Sequence, residues 1–300
     1  MENADTKKAS NVLRTYTDQN RKKPVYVSRI VIKVLSYLVL VLGCLAVFIP
    51  IIVILFGAFK TGKEFANTGV FELPQSFSLV NFKTAFFEGN VLRGLLNTAV
   101  IIAISCVGTI LTGTMTAFVI QRFDSYMTRL VKGAFLLATL MPNISMQVTV
   151  FQIVSRLGLY NSMAAPIILY VGTDIISIYI FMQFLAQISV SLDESGIIDG
   201  ASYPRIYFSI ILPNLKPAIA TVLIIKFVSI YNDFYTPQLY MQDSKLLVVS
   251  TVLYKYISST KIQWEVVFAG IILCIIPTLL IFLFLQKYIY SGLVSGAVKE

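Results

Sequence analysis

Apolar runs of about twenty residues alternate along the chain with shorter polar stretches, and a run of that length is what a helix needs to cross a hydrocarbon core of about 30 Å. Six such runs can be read: Val34 to Phe59, Gly94 to Ile120, Gly133 to Ser155, Ala164 to Leu185, Pro217 to Pro237 and Val266 to Gln286. Each is expected to be helical, because lipid offers no partner to an open backbone amide. The pattern predicts an all-α polytopic membrane protein: a basic tail over residues 1–33, then a six-helix domain over 34–300 with a long polar connection at 186–216. No repeat of solenoid period and no low-complexity tract interrupts it.

Composition agrees with the pattern. Hydrophobic residues make up 57% and charged residues 13% of the chain, against about a quarter charged in soluble domains. A net charge of +9 raises the question of nucleic acid, but the basic residues gather in the tail and in loops beside apolar runs, where membrane orientation explains them better. The tail carries Lys7, Lys8, Arg14, Arg21, Lys22, Lys23, Arg29 and Lys33 ahead of the first apolar run, so that run reads as a retained anchor rather than a cleaved signal. By the positive-inside rule the tail is cytoplasmic, as is the loop with Arg122, Arg129 and Lys132, and an even number of spans returns the C-terminus inside. The 186–216 connection then faces the cytoplasm. Histidine is absent, and Cys44, Cys106 and Cys274 lie in three different apolar runs. Neither a disulfide framework, a zinc site nor a histidine base is expected.

Gly57, Gly62 and Lys63 have the spacing of a phosphate-cradling loop, in which backbone amides and a lysine neutralise phosphate between a strand and a helix. Glu64 stands where the magnesium-binding hydroxyl should be, and the segment follows a membrane helix. The expected alternative is a helix C-terminus near Gly57 and Lys60.

The polar connection holds Glu194-Ser195-Gly196-Ile197-Ile198-Asp199-Gly200-Ala201, then Ile210-Ile211-Leu212-Pro213 and Lys216-Pro217. Helical geometry puts Glu194, Ile197, Ile198 and Ala201 near one face and Asp199 elsewhere. Asp193 falls at the helix start, favourable for the dipole. Gly200 and Ala201 leave little bulk against an approaching surface. Pro204 is expected to stop the helix, and Pro213 and Pro217 to mark re-entry into the membrane. From polarity alone, a solvated linker accounts for this stretch better than a docking surface does.

The fuller spacing, an acid, a glycine and an Ile-x-Leu-Pro over about twenty positions, resembles the cytoplasmic signature loop of permease subunits in ATP-binding-cassette importers. Tyr231-Asn232-Asp233-Phe234 is similar to the Trp-Asn-Glu-Phe of the carbohydrate branch, and Gly292-Leu293-Val294-Ser295-Gly296-Ala297-Val298-Lys299 to its Gly-Leu-x-x-Gly-Ala-Val-Lys tail. The likeness is to the smaller, six-span permease of maltose-type importers and runs from about Val34 onward. It implies the type I importer fold, a bacterial-type inner membrane, a heterodimer with a second permease, two cytoplasmic ATPase subunits and an external solute-binding protein. ATP and magnesium would be used by the partner ATPases, with no cofactor bound and no catalytic residue on this chain. The resemblance also implies ATPase-coupling positions at Glu194, Ser195, Gly196, Asp199, Gly200, Ala201, Leu212 and Pro213, and tail contacts at Gly296, Ala297, Val298 and Lys299. Ser195 and Gly196 stand where the family usually has alanine. A glycine inside a helix costs about 1 kcal/mol relative to alanine, which predicts a coupling helix of reduced stability before docking.

Asp174, Lys226 and Asp233 fall within spans, where a charge near the bilayer centre costs about 3 kcal/mol on insertion scales. Lys226 is placed near mid-membrane, about 14 Å from the inner end of its span at roughly 1.5 Å per residue. With Gln147, Tyr231 and Asn232 these groups are candidates for a solute pathway. Two readings of Asp174 and Lys226 stay open, pathway lining and a buried structural pair. Asn232 and Asp233, near the outer surface, fit a gate or a binding-protein contact as well as solute contact. The alternative functions are an importer permease for another small polar solute and, ranked below it, a stand-alone carrier using the three charges as a relay, while an intramembrane enzyme is disfavoured by the lack of paired acids or histidine.

Overall fold

The structure is a computed structural model and describes residues 26–141, 143–172, 174–257 and 262–297. Among them all regular structure is helical. The longer helices are α1 (Tyr26–Phe59), α2 (Val91–Arg122), α3 (Tyr126–Thr139), α4 (Asn143–Arg156), α5 (Ala164–Gly172), α6 (Ile175–Leu185), α7 (Ser191–Ile198), α8 (Lys216–Asn232) and α9 (Trp264–Ala297).

The chain divides into two units, one ending at Ile54 and one starting at Leu55. The first is helix α1 alone up to Ile54, which begins at Tyr26, before the apolar run itself. Its side chains from Val31 to Ile52 are exposed.

In the second unit α2 is the organising element, packed against α5, α6 and α8. It has no proline, and it buries a stripe of mostly small or polar side chains: Asn97, Thr98, Ser105, Thr109, Thr114 and Ala117. Small residues let backbones approach closely in lipid, where packing and hydrogen bonds rather than hydrophobicity drive association. Gly113 is one such contact, since a Cβ there would lie 3.0 Å from the Phe181 ring. At one end of α2 the core is Phe118, Phe181, Leu185, Ile206, Tyr207, Ile211 and Leu215. At the other it is Val91, Val249, Val252, Leu253 and Cys274.

The helices α1, α2 and α9 are long and apolar enough to cross a membrane. Two bent pairs bring the number to five: α5 with α6, at 41°, and Tyr203–Asn214 with α8, at 71°. The expected span from Gly133 to Ser155 is instead divided between α3 and α4, each 14 residues long, or about 21 Å, short of the hydrocarbon core. Pro142 stands between them in the sequence. A proline removes an amide donor and disfavours helix at the residue before it, so one apolar run becomes two helices. The fifth run likewise ends at Asn232, and Pro237 belongs to a separate short helix, Tyr235–Tyr240.

The glycines of the phosphate-loop spacing have structural roles. Gly57 lies near the end of α1, and Thr61 caps the helix Gly62–Asn67 in a capping box with Glu64. Lys60 is buried and donates from Nζ to Thr68 Oγ1 at 3.0 Å and to the Gly69 carbonyl at 2.8 Å.

Candidate functional site

The polar connection folds into a compact hairpin of helices. Helix α7 begins with Asp193 and Glu194 in its first turn, acids at the positive end of the helix dipole. It ends at Gly200, whose φ of +76° is the left-handed conformation that costs any residue with a Cβ. The Gly200 amide donates to the Ile197 carbonyl and the Ala201 amide to the Gly196 carbonyl, both at 2.9 Å, the paired bonds of a Schellman cap. The helix therefore stops before Pro204, which sits in the first turn of the next helix, Tyr203–Ile206. A π-helical turn, Tyr207–Ile211, carries the chain to Leu212, Pro213 and the bend into α8.

The two arms of the hairpin are packed together. Gly196 is buried, and a Cβ there would lie 3.1 Å from Ile206 and 3.2 Å from Ile210. Glycine at this position gives up helix propensity for close contact with the following helix. Ala201 and Leu212 are half-buried, while Glu194, Ser195, Asp199, Gly200 and Pro213 are exposed. Beside them Ile197 is 48% and Ile198 85% exposed, an apolar knob on a polar helix.

The hairpin is tied to the end of α2. The Arg122 guanidinium lies 2.6 Å from Asp193 Oδ2, with both side chains about one-tenth exposed, and its Nη2 donates to the Ile188 carbonyl at 2.9 Å. Thr114 and Tyr207 share a hydroxyl hydrogen bond of 2.6 Å, and Phe123 packs edge-on against Tyr203. Asp193 was legible as a helix-start acid. Arg122, its partner from a distant part of the chain, was legible only as a loop cation.

The expected pathway residues separate into three groups. Lys226 Nζ lies 2.9 Å from Asp174 Oδ2 and donates to the Tyr170 carbonyl at 2.5 Å. Asp174 also caps α6, accepting from the Ser177 amide at 3.2 Å and its hydroxyl at 2.5 Å. Each charge is thus the other's counterion at the break between α5 and α6. Asp233 accepts from the Tyr170 hydroxyl at 2.8 Å and from the Thr236 amide at 3.1 Å. Tyr170, which the sequence did not single out, links Asp233 through its hydroxyl to Lys226 through its carbonyl. Gln147 accepts a hydrogen bond from Tyr235 at 2.6 Å.

Tyr231 and Asn232 line an open cavity of about 610 Å³ between α8, residues 249–253 and α9, together with Ser250, Cys274, Thr278 and Phe282. The Tyr231 hydroxyl donates to the Cys274 carbonyl at 2.6 Å. Of the tail positions, Gly296 and Ala297 lie within α9, and Val298 and Lys299 fall outside the described residues.

The described residues thus form an all-helical arrangement in which the α7 hairpin is held to the end of α2 by the Arg122–Asp193 ion pair. Residues 109–294 match the family of binding-protein-dependent transport system inner membrane components. That match covers more than half of the chain, and the protein belongs to this family. It is 32% identical to the multiple sugar-binding transport system permease protein of Streptococcus mutans, over 88% of this chain and 96% of that one. It is 29% identical to the probable starch degradation products transport system permease protein of Thermoanaerobacterium thermosulfurigenes, over 89% and 96%. For the melibiose, raffinose and stachyose import permease of Bacillus subtilis the identity is 27%, again over 89% and 96%. The fold matches a chain of a bacterial ABC transporter for the acidic polysaccharide alginate, with a TM-score of 0.77 and 19% identity over 87% of this chain and 97% of that one. It is the type I importer permease fold.

Proposed function

We propose that this chain is one of two permease subunits of an ATP-driven importer for a sugar or oligosaccharide, forming half of the translocation pathway. The hairpin around α7 docks on cytoplasmic ATPase subunits, which bind ATP and magnesium and hydrolyse the nucleotide. A solute-binding protein delivers substrate on the opposite side. The observation that carries this reading is the Ile197–Ile198 knob. Two apolar side chains stand in the open on a helix whose other face is fixed by a buried ion pair and a close glycine contact. An exposed apolar patch rimmed by polar groups marks a protein-binding surface, and the family supplies the partner.

The sugar assignment is supported by the carbohydrate names of the relatives and by the chemistry of the cavity. Tyr231 and Phe282 offer ring faces, and Asn232, Ser250 and Thr278 offer polar groups to hydroxyls. Asp174 and Lys226 neutralise each other and serve as a clamp between α6 and α8 rather than as solute ligands. Asp233 and Gln147, held by tyrosines, shape the outer end of the pathway. The hairpin and both termini face the cytoplasm, in a bacterial-type inner membrane, and the tail from Gly296 to Lys299 is a secondary ATPase contact.

Co-expression with the partner subunits tests this reading. Glu194→Lys combined with Gly200→Trp is expected to abolish both ATPase co-purification and uptake of labelled oligosaccharide into vesicles. ATP-dependent uptake that survives the double substitution would sink the assignment.

A further inference from the structure

Within the second unit, the described spans differ in continuity. The α5–α6 pair breaks at Gly172–Asp174, α8 follows a 71° bend, and α9 contains Pro277, whereas α2 runs 32 residues without proline or interruption. At 1.5 Å per residue it reaches roughly 48 Å, more than the hydrocarbon thickness. Both of its ends are hooked to short helices and the turns beside them.

At the hairpin end Arg122 grips Asp193 and the Ile188 carbonyl. Arg122 Nε and Asp193 Oδ1 are both buried without a hydrogen-bond partner, so the contact between the two residues is an ion pair. At the opposite end the Asn97 side chain donates to the Lys245 carbonyl at 3.0 Å and the Leu247 carbonyl at 2.8 Å. Thr98 Oγ1 accepts from the Val249 amide at 3.0 Å, and Gly94 brings the helix backbone against Val248. The same segment continues to Ser250, which lines the cavity and donates to the Asp233 carbonyl at 2.6 Å.

We propose that α2 is the rod that carries displacement between the ATPase-docking hairpin and the outer 244–252 segment, with Arg122 and Asn97 as the positioning residues at its two ends. The inference rests on the permease reading above. A stiff element anchored at both ends moves both ends together, and losing either hook leaves nucleotide hydrolysis running without matching movement at the cavity.

The test uses the assembled complex in proteoliposomes, with ATP hydrolysed and labelled oligosaccharide taken up measured on the same sample. Arg122→Gln, Asp193→Asn and Asn97→Ala are each expected to raise the ATP consumed per solute about fivefold or more, with the ATPase subunits still co-purifying. The double variant Arg122→Gln/Asp193→Asn leaves no lone buried charge. It is expected to regain the yield of assembled complex but keep the poor ratio, whereas Arg122→Lys recovers part of the ratio. A double variant with the parental ratio would make the ion pair merely structural and overturn the proposal. So would an unchanged ratio in Asn97→Ala, or loss of the ATPase subunits from the single variants. If the parent chain itself assembles with no ATPase, the permease reading fails, and the rod with it.

Discussion

At Gly200 the backbone sits in the left-handed region, with φ +76° and open space where a Cβ would be. The cost of substitution there is therefore conformational, about 1 to 2 kcal/mol for any other residue. Gly200→Ala is expected to loosen the end of α7, speeding hydrogen exchange of the amides at positions 200 and 201 by about five- to thirty-fold. Exchange at the parental rate would refute the cap. Gly196 poses the opposite problem. Alanine would gain about 1 kcal/mol of helix propensity but must displace Ile206 and Ile210 by a few tenths of an ångström. Gly196→Ala should leave the melting temperature in detergent nearly unchanged, and Gly196→Leu should lower it sharply. The sequence marked both glycines, one as missing bulk and one as a departure from alanine. It could not say that one was a cap and the other a packing contact, because each depends on backbone angle or on a neighbouring helix rather than on local spacing.

At the level of elements, periodicity located the long spans because an uninterrupted apolar run is self-sufficient. It failed at Pro142, where the run divides into α3 and α4 although α1 and α9 carry Pro50 and Pro277 without a break, and where a turn chemistry overruled a proline, as at Gly200 ahead of Pro204. The Asp174–Lys226 pair was one of two readings the sequence left open, because spacing along the chain does not bring α6 and α8 together. Its geometry makes the two substitutions non-additive. Lys226→Met leaves a carboxylate uncompensated in the membrane and is expected to cost about 3 to 5 kcal/mol, most of it recovered in Asp174→Asn/Lys226→Met. Denaturation midpoints of the purified chain measure both. A single variant as stable as the parent would show that the pair holds nothing together.

For the whole molecule sidedness rests on the tail, which alone carries the charge bias that orients the chain. Ile198 is 85% and Phe71 61% exposed, and they mark positions expected on opposite sides of the membrane. With Cys44, Cys106 and Cys274 replaced, Ile198→Cys should react with an impermeant maleimide only in inverted vesicles, and Phe71→Cys only in intact cells. The reverse pattern would invert the molecule and remove the hairpin from its partner.

The counterion arrangement at Asp174 also constrains biogenesis. The aspartate leaves the ribosome before the hairpin, and Lys226 emerges only after it, a delay of roughly 3 to 10 s at ordinary elongation speed. Throughout that interval the acid has only the Ser177 amide and hydroxyl and no counterion from α8, so the α5–α6 pair is expected to reach its final depth only when α8 arrives.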